Sequence, residues 1–293
     1  MSYPDKITKT MKEFQYFSPK TVSEAVSILS QLDGEAKLLA GGTDLLPMMK
    51  QRVVTPGSVV NIKNIRGLAY IREDTEGLKI GALTTIADIK ESDLIKQKCL
   101  SLHEAAARFG TPLVRNMATI GGNICRSAPS ADMVPPLLVF DAEVKLVGAK
   151  GERKVLLEDF FTGSGKNVLK QELLTEVIIP KESGRYGTAF EKMKRSSADL
   201  AKLNCAVKII VSDGKCDDIR IALGVVADKA IRAKKAEQAV RGKSISDEVI
   251  EGAAQKVTED ISPRTSARST AWYRTEVSKV LVRRLIKLAV ERI

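Results

Sequence analysis

The chain has 293 residues, 44% of them hydrophobic and 28% charged, the balance of an ordinary globular protein long enough for two or three domains with cores of their own. No apolar run approaches the ~20 residues needed to cross a bilayer, and Met1–Thr10 is polar, so the expectations are no membrane span, no signal peptide and a cytoplasmic location. Lys and Arg number 47 against 36 Asp and Glu, a net charge of +11, yet aromatics are only 4% and no helix-turn-helix, zinc-finger or RNA-binding pattern accompanies the charge; no nucleic acid partner is expected, and a surface for anionic substrates or an acidic protein fits equally.

Lys12–Phe17 reads as a short strand. Thr21 and Glu24 have capping-box spacing, and Val22, Ala25, Val26, Ile28, Leu29 and Leu32 follow with helical period until Asp33-Gly34 stops the run. Lys37–Ala40 is a buried strand that delivers Leu38-Leu39-Ala40-Gly41-Gly42-Thr43-Asp44-Leu45, and a short helix runs through Leu45–Lys50. This is a β-α-β opening, but without the G-x-G-x-x-G of a Rossmann unit or the Gly-Lys-Ser/Thr end of a P-loop. Strands are predicted at Val59–Ile62 and Leu78–Ile80, a capped helix at Ile86–Lys90, and a longer helix at Leu94–Phe109 that Gly110-Thr111-Pro112 ends.

A second glycine segment follows, Ala118-Thr119-Ile120-Gly121-Gly122-Asn123, then an irregular stretch over Arg126–Pro136, of the kind that in a compact domain is usually functional. Ala142–Val147 and Arg153–Leu157 form a hairpin, and Leu174–Ile179 is a strand closed by Pro180. From about Lys181 the pattern becomes α+β: strands at Thr188–Lys194, Asn204–Ser212 and Ile219–Val226, then three helical segments. The last, Trp272–Arg292, carries an apolar stripe of Val277, Val280, Leu281, Leu285 and Leu288.

Both glycine segments follow an apolar or β-branched run and end in a short polar side chain. Glycine pairs let successive backbone N–H groups converge, because no Cβ blocks close approach, and such a concavity binds phosphate oxygens. Two of them suggest a clamp on a diphosphate; two tight turns are the alternative. Cys99, Cys125, Cys205 and Cys216 lack any C-x-x-C spacing, so neither zinc nor an iron–sulfur cluster nor a disulfide is expected. Cys125 either senses a ligand at the second segment or is buried as a small hydrophobe. His103 is the one histidine, placed mid-helix and away from both segments. No catalytic acid–base pair or nucleophile constellation appears, and no catalytic residue or metal ligand is assigned.

Lys37–Lys50 and Arg115–Asn123, with Ser130–Leu138, Ala189–Arg195 and Trp272–Arg284, closely resemble the FAD-binding medium subunits of the molybdenum hydroxylases, the carbon monoxide dehydrogenase and xanthine dehydrogenase type. The resemblance covers nearly the whole chain. It implies an α+β protein of the FAD-binding PCMH-type fold: an α/β subdomain over 1–57, a second over 58–180, and a C-terminal antiparallel sheet packed on helices over 181–293. It implies noncovalent FAD, since His103 is remote, with the molybdopterin on a large partner subunit and [2Fe-2S] clusters on a small one, as a dimer of heterotrimers. This chain would be the electron-transfer subunit, handing electrons to a terminal acceptor; a stand-alone FAD oxidoreductase and a flavin-free assembly subunit are the alternatives.

The resemblance also assigns residues. Leu38 to Leu45 and Thr119 to Asn123 form the two FAD-contacting segments, with Gly41, Gly42, Gly121 and Gly122 offering backbone to the diphosphate. Thr43 and Asn123 add side-chain hydrogen bonds, though Thr43 or Asp44 could instead cap the helix that follows, and Thr119 is either a phosphate donor or a strand end. Asp132 matches an acidic residue that accepts from FAD hydroxyls, Phe109 an aromatic near the cofactor, and Leu174 and Lys192 positions that approach the flavin, with Lys194 the neighbouring candidate. Each has a plainer reading: loop Asp, core Phe, solvated strand Lys. Arg115 and Asn116 belong to the motif or brace it.

Overall fold

The computed structural model describes residues 11–32, 36–182 and 184–293. Met1–Thr10 and the Asp33-Gly34 stop lie outside the described residues. Gln15–Phe17, Ser58–Asn61 and Ala36–Leu39 form, in that order, a three-stranded sheet that is parallel throughout. Parallel strands need crossovers: the helix Val22–Gln31, which buries Ala25, Val26 and Leu29, joins the two outer strands, and the helix Leu45–Lys50 joins Ala36–Leu39 to the central strand. Thr21 Oγ1 accepts the Glu24 N–H at 3.1 Å. The Glu24 carboxylate closes the cap one residue early, on the Lys20 N–H at 2.7 Å. Ser58–Asn61 is the central strand of this sheet, so a boundary after residue 57 would cut the first unit in two. The third strand of a β-α-β unit arrives from beyond the second helix, and composition alone does not show where it pairs.

The middle sheet is antiparallel, ordered Ile71–Glu73, Gly77–Gly81, Leu173–Pro180, Glu143–Gly148, Gly151–Leu156. The helix predicted over Leu94–Phe109 is two helices, Asp93–Lys98 and Leu100–Ala107. They break at Cys99, whose backbone (φ −141°, ψ 59°) is not helical and whose side chain is drawn into the core. Thr111-Pro112 does not simply stop a helix. Thr111 accepts the Val114 N–H and starts a new one, Pro112–Met117, with proline in the first turn where its missing N–H costs nothing. The same logic folds the end of the supposedly irregular stretch: Val134–Val139 is a wholly buried helix with Pro135 and Pro136 near its start.

The C-terminal sheet runs Gly187–Met193, Leu203–Ser212, Lys215–Gly224, Ile231–Arg232, antiparallel. Side chains alternate between its faces. Ala189, Cys205, Val207 and Leu223 pack under the helices Lys234–Val240, Asp247–Lys256 and Ala271–Val290. Phe190, Ala206 and Ala222 join the core of the middle unit. Of the predicted stripe on the last helix, Leu281 and Leu285 are buried, whereas Val280 is exposed. No described helix is long and apolar enough to cross a membrane.

Candidate functional site

The first glycine segment leaves the parallel sheet after Leu39 and enters the helix Leu45–Lys50. Gly42 has φ +76°, a conformation costly for any residue with a Cβ. Between strand and helix, the N–H groups of Gly41, Gly42, Thr43 and Asp44 find no acceptor among the described residues. Asp44 occupies the N-cap position without capping through its side chain, and the Thr43 hydroxyl has no hydrogen bond among the described residues either. Four successive uncapped amides are a row of donors held open. Leu38 and Leu45 are half-buried and Leu39 is in the core, anchoring the segment from below.

The second segment is built differently. Gly121 and Gly122 lie not in a loop but in the first turn of the helix Ile120–Cys125, whose N-cap Thr119 accepts the Gly122 N–H at 3.1 Å. The N–H of Ile120 donates to Thr84 O at 3.0 Å, that of Gly121 to Ala82 O at 2.9 Å and that of Asn123 to Thr119 O at 2.9 Å. The expected amide cradle is therefore corrected here: these donors are already used by the protein. A Cβ on Gly121 would stand 2.7 Å from Ala82 O and 2.8 Å from Ala82 Cβ, so glycine at 121 serves close packing. The buried Asn123 Oδ1, by contrast, has no hydrogen-bond partner among the described residues.

The two segments meet. A Cβ on Gly41 would lie 2.0 Å from Met117 O and 3.0 Å from Ala118 Cα, and one on Gly122 would reach Ala40 Cβ at 4.0 Å. Arg115 donates to the carbonyls of Phe109 (2.8 Å) and Gly110 (3.1 Å), bracing the turn beneath them. Phe109 is half-buried beside the middle core, and Leu174 lies within it.

Nine residues beyond Asn123 the chain reaches Asp132, 3% exposed on the seam with the C-terminal sheet. Lys192 Nζ donates to its Oδ2 at 2.6 Å and Asn204 Nδ2 to its Oδ1 at 2.9 Å. Burial pushes the Asp132 carboxyl up, against the pull of the Lys192 ammonium and the Asn204 amide. Lys192 and Asn204 are direct cross-strand partners, and Gly224 is the next partner across. A Cβ on Gly224 would fall 2.1 Å from Asn204 Oδ1 and 2.7 Å from Pro129 O, so glycine lets this loop descend onto the sheet. Sequence reading missed Asn204 and Gly224. Strand alternation carries the signal for the first: Asn204 lies two residues before Ala206, and Lys192 two after Phe190, on the face that meets the middle unit. Lys194 donates to Ser197 O at 2.8 Å, and burial followed by the nearby Lys192 and Arg108 charges lowers its pKa.

His103 is half-buried on Leu100–Ala107, away from these groups in sequence. Among the described residues no cluster of His, Cys, Asp and Glu could hold a metal ion. All four cysteines are unbridged. Burial pushes the Cys125 and Cys216 thiols up to about 12, and those of Cys99 and Cys205 upward as well. At pH 8 all four are neutral, and the thiolate is the reactive form. The native protein is accordingly expected to react with Ellman's reagent slowly or not at all at that pH, and the unfolded protein to release all four thiols at once. A rapid native equivalent would contradict the buried-hydrophobe reading of these residues.

The chain is similar to known proteins over most of its length. Residues 12–182 match the family described as the FAD binding domain in molybdopterin dehydrogenase, and residues 188–289 the CO dehydrogenase flavoprotein C-terminal domain. The chain is 37% identical to the glyceraldehyde dehydrogenase medium chain of Sulfolobus acidocaldarius, over 94% of this chain and 98% of that one. It is 36% identical to the carbon monoxide dehydrogenase medium chain of Hydrogenophaga pseudoflava, over 94% and 96%. Its fold superposes on a solved chain of the carbon monoxide dehydrogenase of Hydrogenophaga pseudoflava with a TM-score of 0.94, at 37% identity, covering 97% of this chain and 99% of that one.

Proposed function

The chain belongs to the FAD-binding medium subunits of the molybdenum hydroxylases, and we propose that in such a complex it holds FAD across the junction of its two glycine segments and passes electrons through it. Its partners in this reading are a molybdopterin-binding large subunit and a [2Fe-2S] small subunit, assembled as a dimer of heterotrimers in the cytoplasm. The observation that carries the reading is the row of four acceptor-free amides over Gly41–Asp44, a set of donors suited to diphosphate oxygens. The orphaned Asn123 Oδ1 supplies the complementary acceptor for a sugar or ribityl hydroxyl.

Bound there, FAD supplies an electron store that can be filled in one-electron steps and emptied in pairs. The protein's part is placement. Gly41–Asp44 hold the diphosphate by backbone, and Thr119 and Gly121 fix the helix that faces them. The Asp132–Lys192 pair and Asn204 set the flavin end against the C-terminal sheet. With Asp132 at 2.6 Å, the Lys192 charge is already answered, so Lys194, which meets only a carbonyl, is the better cation for an anionic reduced flavin. We place the division between the first two units after Asn61 rather than before Ser58, and the second division near residue 181.

The test is the visible spectrum of the purified chain and of its acid supernatant. Flavin bands at about 450 nm that leave with the supernatant as FAD are expected for noncovalent binding. A folded chain that takes up no added FAD would overturn the reading.

A further inference from the structure

The strand Gly187–Met193 is the outermost of the C-terminal sheet, and it carries Lys192, with Lys194 just past its end. An edge strand has one row of backbone groups that no neighbouring strand satisfies. Here charged side chains from other elements take that row. Glu104, on the helix Leu100–Ala107 of the middle unit, accepts the Phe190 N–H through Oε2 at 2.9 Å. Arg108, at the C-terminal end of the same helix, donates to Phe190 O at 2.5 Å. Arg292, beyond the last helix, ties the two elements together: its Nη2 donates to Glu104 Oε1 at 2.7 Å and its Nη1 to Thr188 O at 2.8 Å. The Phe190 side chain, 1% exposed, is sunk in the core of the middle unit. Glu104 and Arg292 are not among the groups assigned to FAD.

Resting on the FAD reading above, we propose that Glu104 and Arg292 are positioning residues for the flavin: through the main chain of Thr188 and Phe190 they hold Lys192 against Asp132 and Lys194 at the flavin end. Hydrogen bonds with an ionised partner are short and strong, and these end on backbone atoms, so they fix where the strand lies along its own axis. Phe190 stands two residues, about 7 Å, before Lys192 on one continuous strand, and no turn intervenes to absorb a shift. The direction of the effect follows from charge. A cation at Lys194 favours the anionic reduced flavin, so a strand free to drift weakens binding of reduced FAD more than of oxidised FAD and lowers the bound potential. A second joint between the same two units serves as the contrast. Arg232 and Arg220 both donate to Asp141 at 2.7 Å, and Arg232 lies on the strand at the opposite edge of the sheet from Lys192.

The test compares Glu104→Ala, Glu104→Gln, Arg292→Met and Asp141→Asn with the wild type, each as the full chain. Hydrogen exchange of the flavin-free chain reads the anchor itself: the Phe190 amide, which has no strand partner among the described residues, is expected to be protected in the wild type and to exchange freely in Glu104→Ala. In the FAD-loaded chain, Glu104→Ala should weaken FAD by about tenfold, within the range for residues that act on a ligand without touching it. Its flavin potential should fall by about 30 mV, a tenfold change in a two-electron equilibrium. Glu104→Gln keeps an oxygen for the Phe190 N–H and should recover most of both losses. Arg292→Met, close to the end of the chain, should show the same two changes in smaller measure, and it carries the comparison if Glu104→Ala does not fold. Asp141→Asn should lower the melting temperature while leaving the potential at its wild-type value. An unchanged potential in Glu104→Ala and Arg292→Met, or an equal fall in Asp141→Asn, would overturn the assignment and leave FAD binding by this chain intact. A wild-type chain that binds no FAD would overturn the functional reading and this inference with it.

Discussion

A Gly41→Ala chain is expected to lose FAD binding and about 2–3 kcal/mol of stability, the scale of overpacking against an unyielding neighbour. The new Cβ would stand 2.0 Å from Met117 O and 2.8 Å from Met117 C, which are backbone atoms. They cannot retreat cheaply, because the adjoining Ala118 N–H donates to Val114 O at 2.7 Å and Ala118 O accepts the Ile86 N–H at 2.9 Å. The clash is relieved only by separating the two glycine segments, which opens the proposed diphosphate clamp. Gly42→Ala is the informative contrast. It carries strain from φ +76°, yet its nearest neighbours are the tips of the Leu39 and Leu46 side chains at 3.0 Å, which can turn aside. Urea denaturation and FAD titration of both variants separate the two effects. Wild-type FAD affinity in folded Gly41→Ala would show that the contact between the segments does not shape the site.

Asp132→Asn is expected to cost about 3–5 kcal/mol, the range for removing one partner of a buried ion pair and leaving the other charge uncompensated. The Lys192 side chain is 1% exposed and that of Asp132 3%, so water cannot replace the carboxylate. The substituted amide also presents a donor toward either Lys192 Nζ or Asn204 Nδ2, both of which donate to Asp132 now. An Asp132→Asn/Lys192→Met double variant should recover part of the loss, since the stranded charge is gone. Because the pair joins the middle unit to the C-terminal sheet, the single variant should also bind FAD more weakly, read as a faster release of flavin on dilution. A cost below about 1 kcal/mol would mean that the ammonium finds water or another anion on the seam.

The elements governed by near neighbours were legible in the chain. Thr21 and Gly42 announce their local structure, because a cap or a positive φ is decided within four residues. The strands of the C-terminal sheet announce theirs through alternation. The break at Cys99 was not legible, since Leu94–Phe109 has helical composition throughout and only core packing pulls Cys99 out of the helix. Nor was the helix at Val134–Val139, where two prolines argue against helix unless both sit in its first turn.

For this protein, the residue order alone determined the family, through short stretches whose chemistry does not depend on distant partners, and it marked the two glycine segments and a change of pattern near residue 181. Only the tertiary structure decided that the amides of Gly121 and its neighbours are consumed while those of Gly41–Asp44 stay open, that Ser58–Asn61 completes the first sheet, and that Asp132 closes onto Lys192 and Asn204. These are contacts between groups tens of residues apart, set by which strands pair and which surfaces must exclude water, and no local pattern of side chains encodes them.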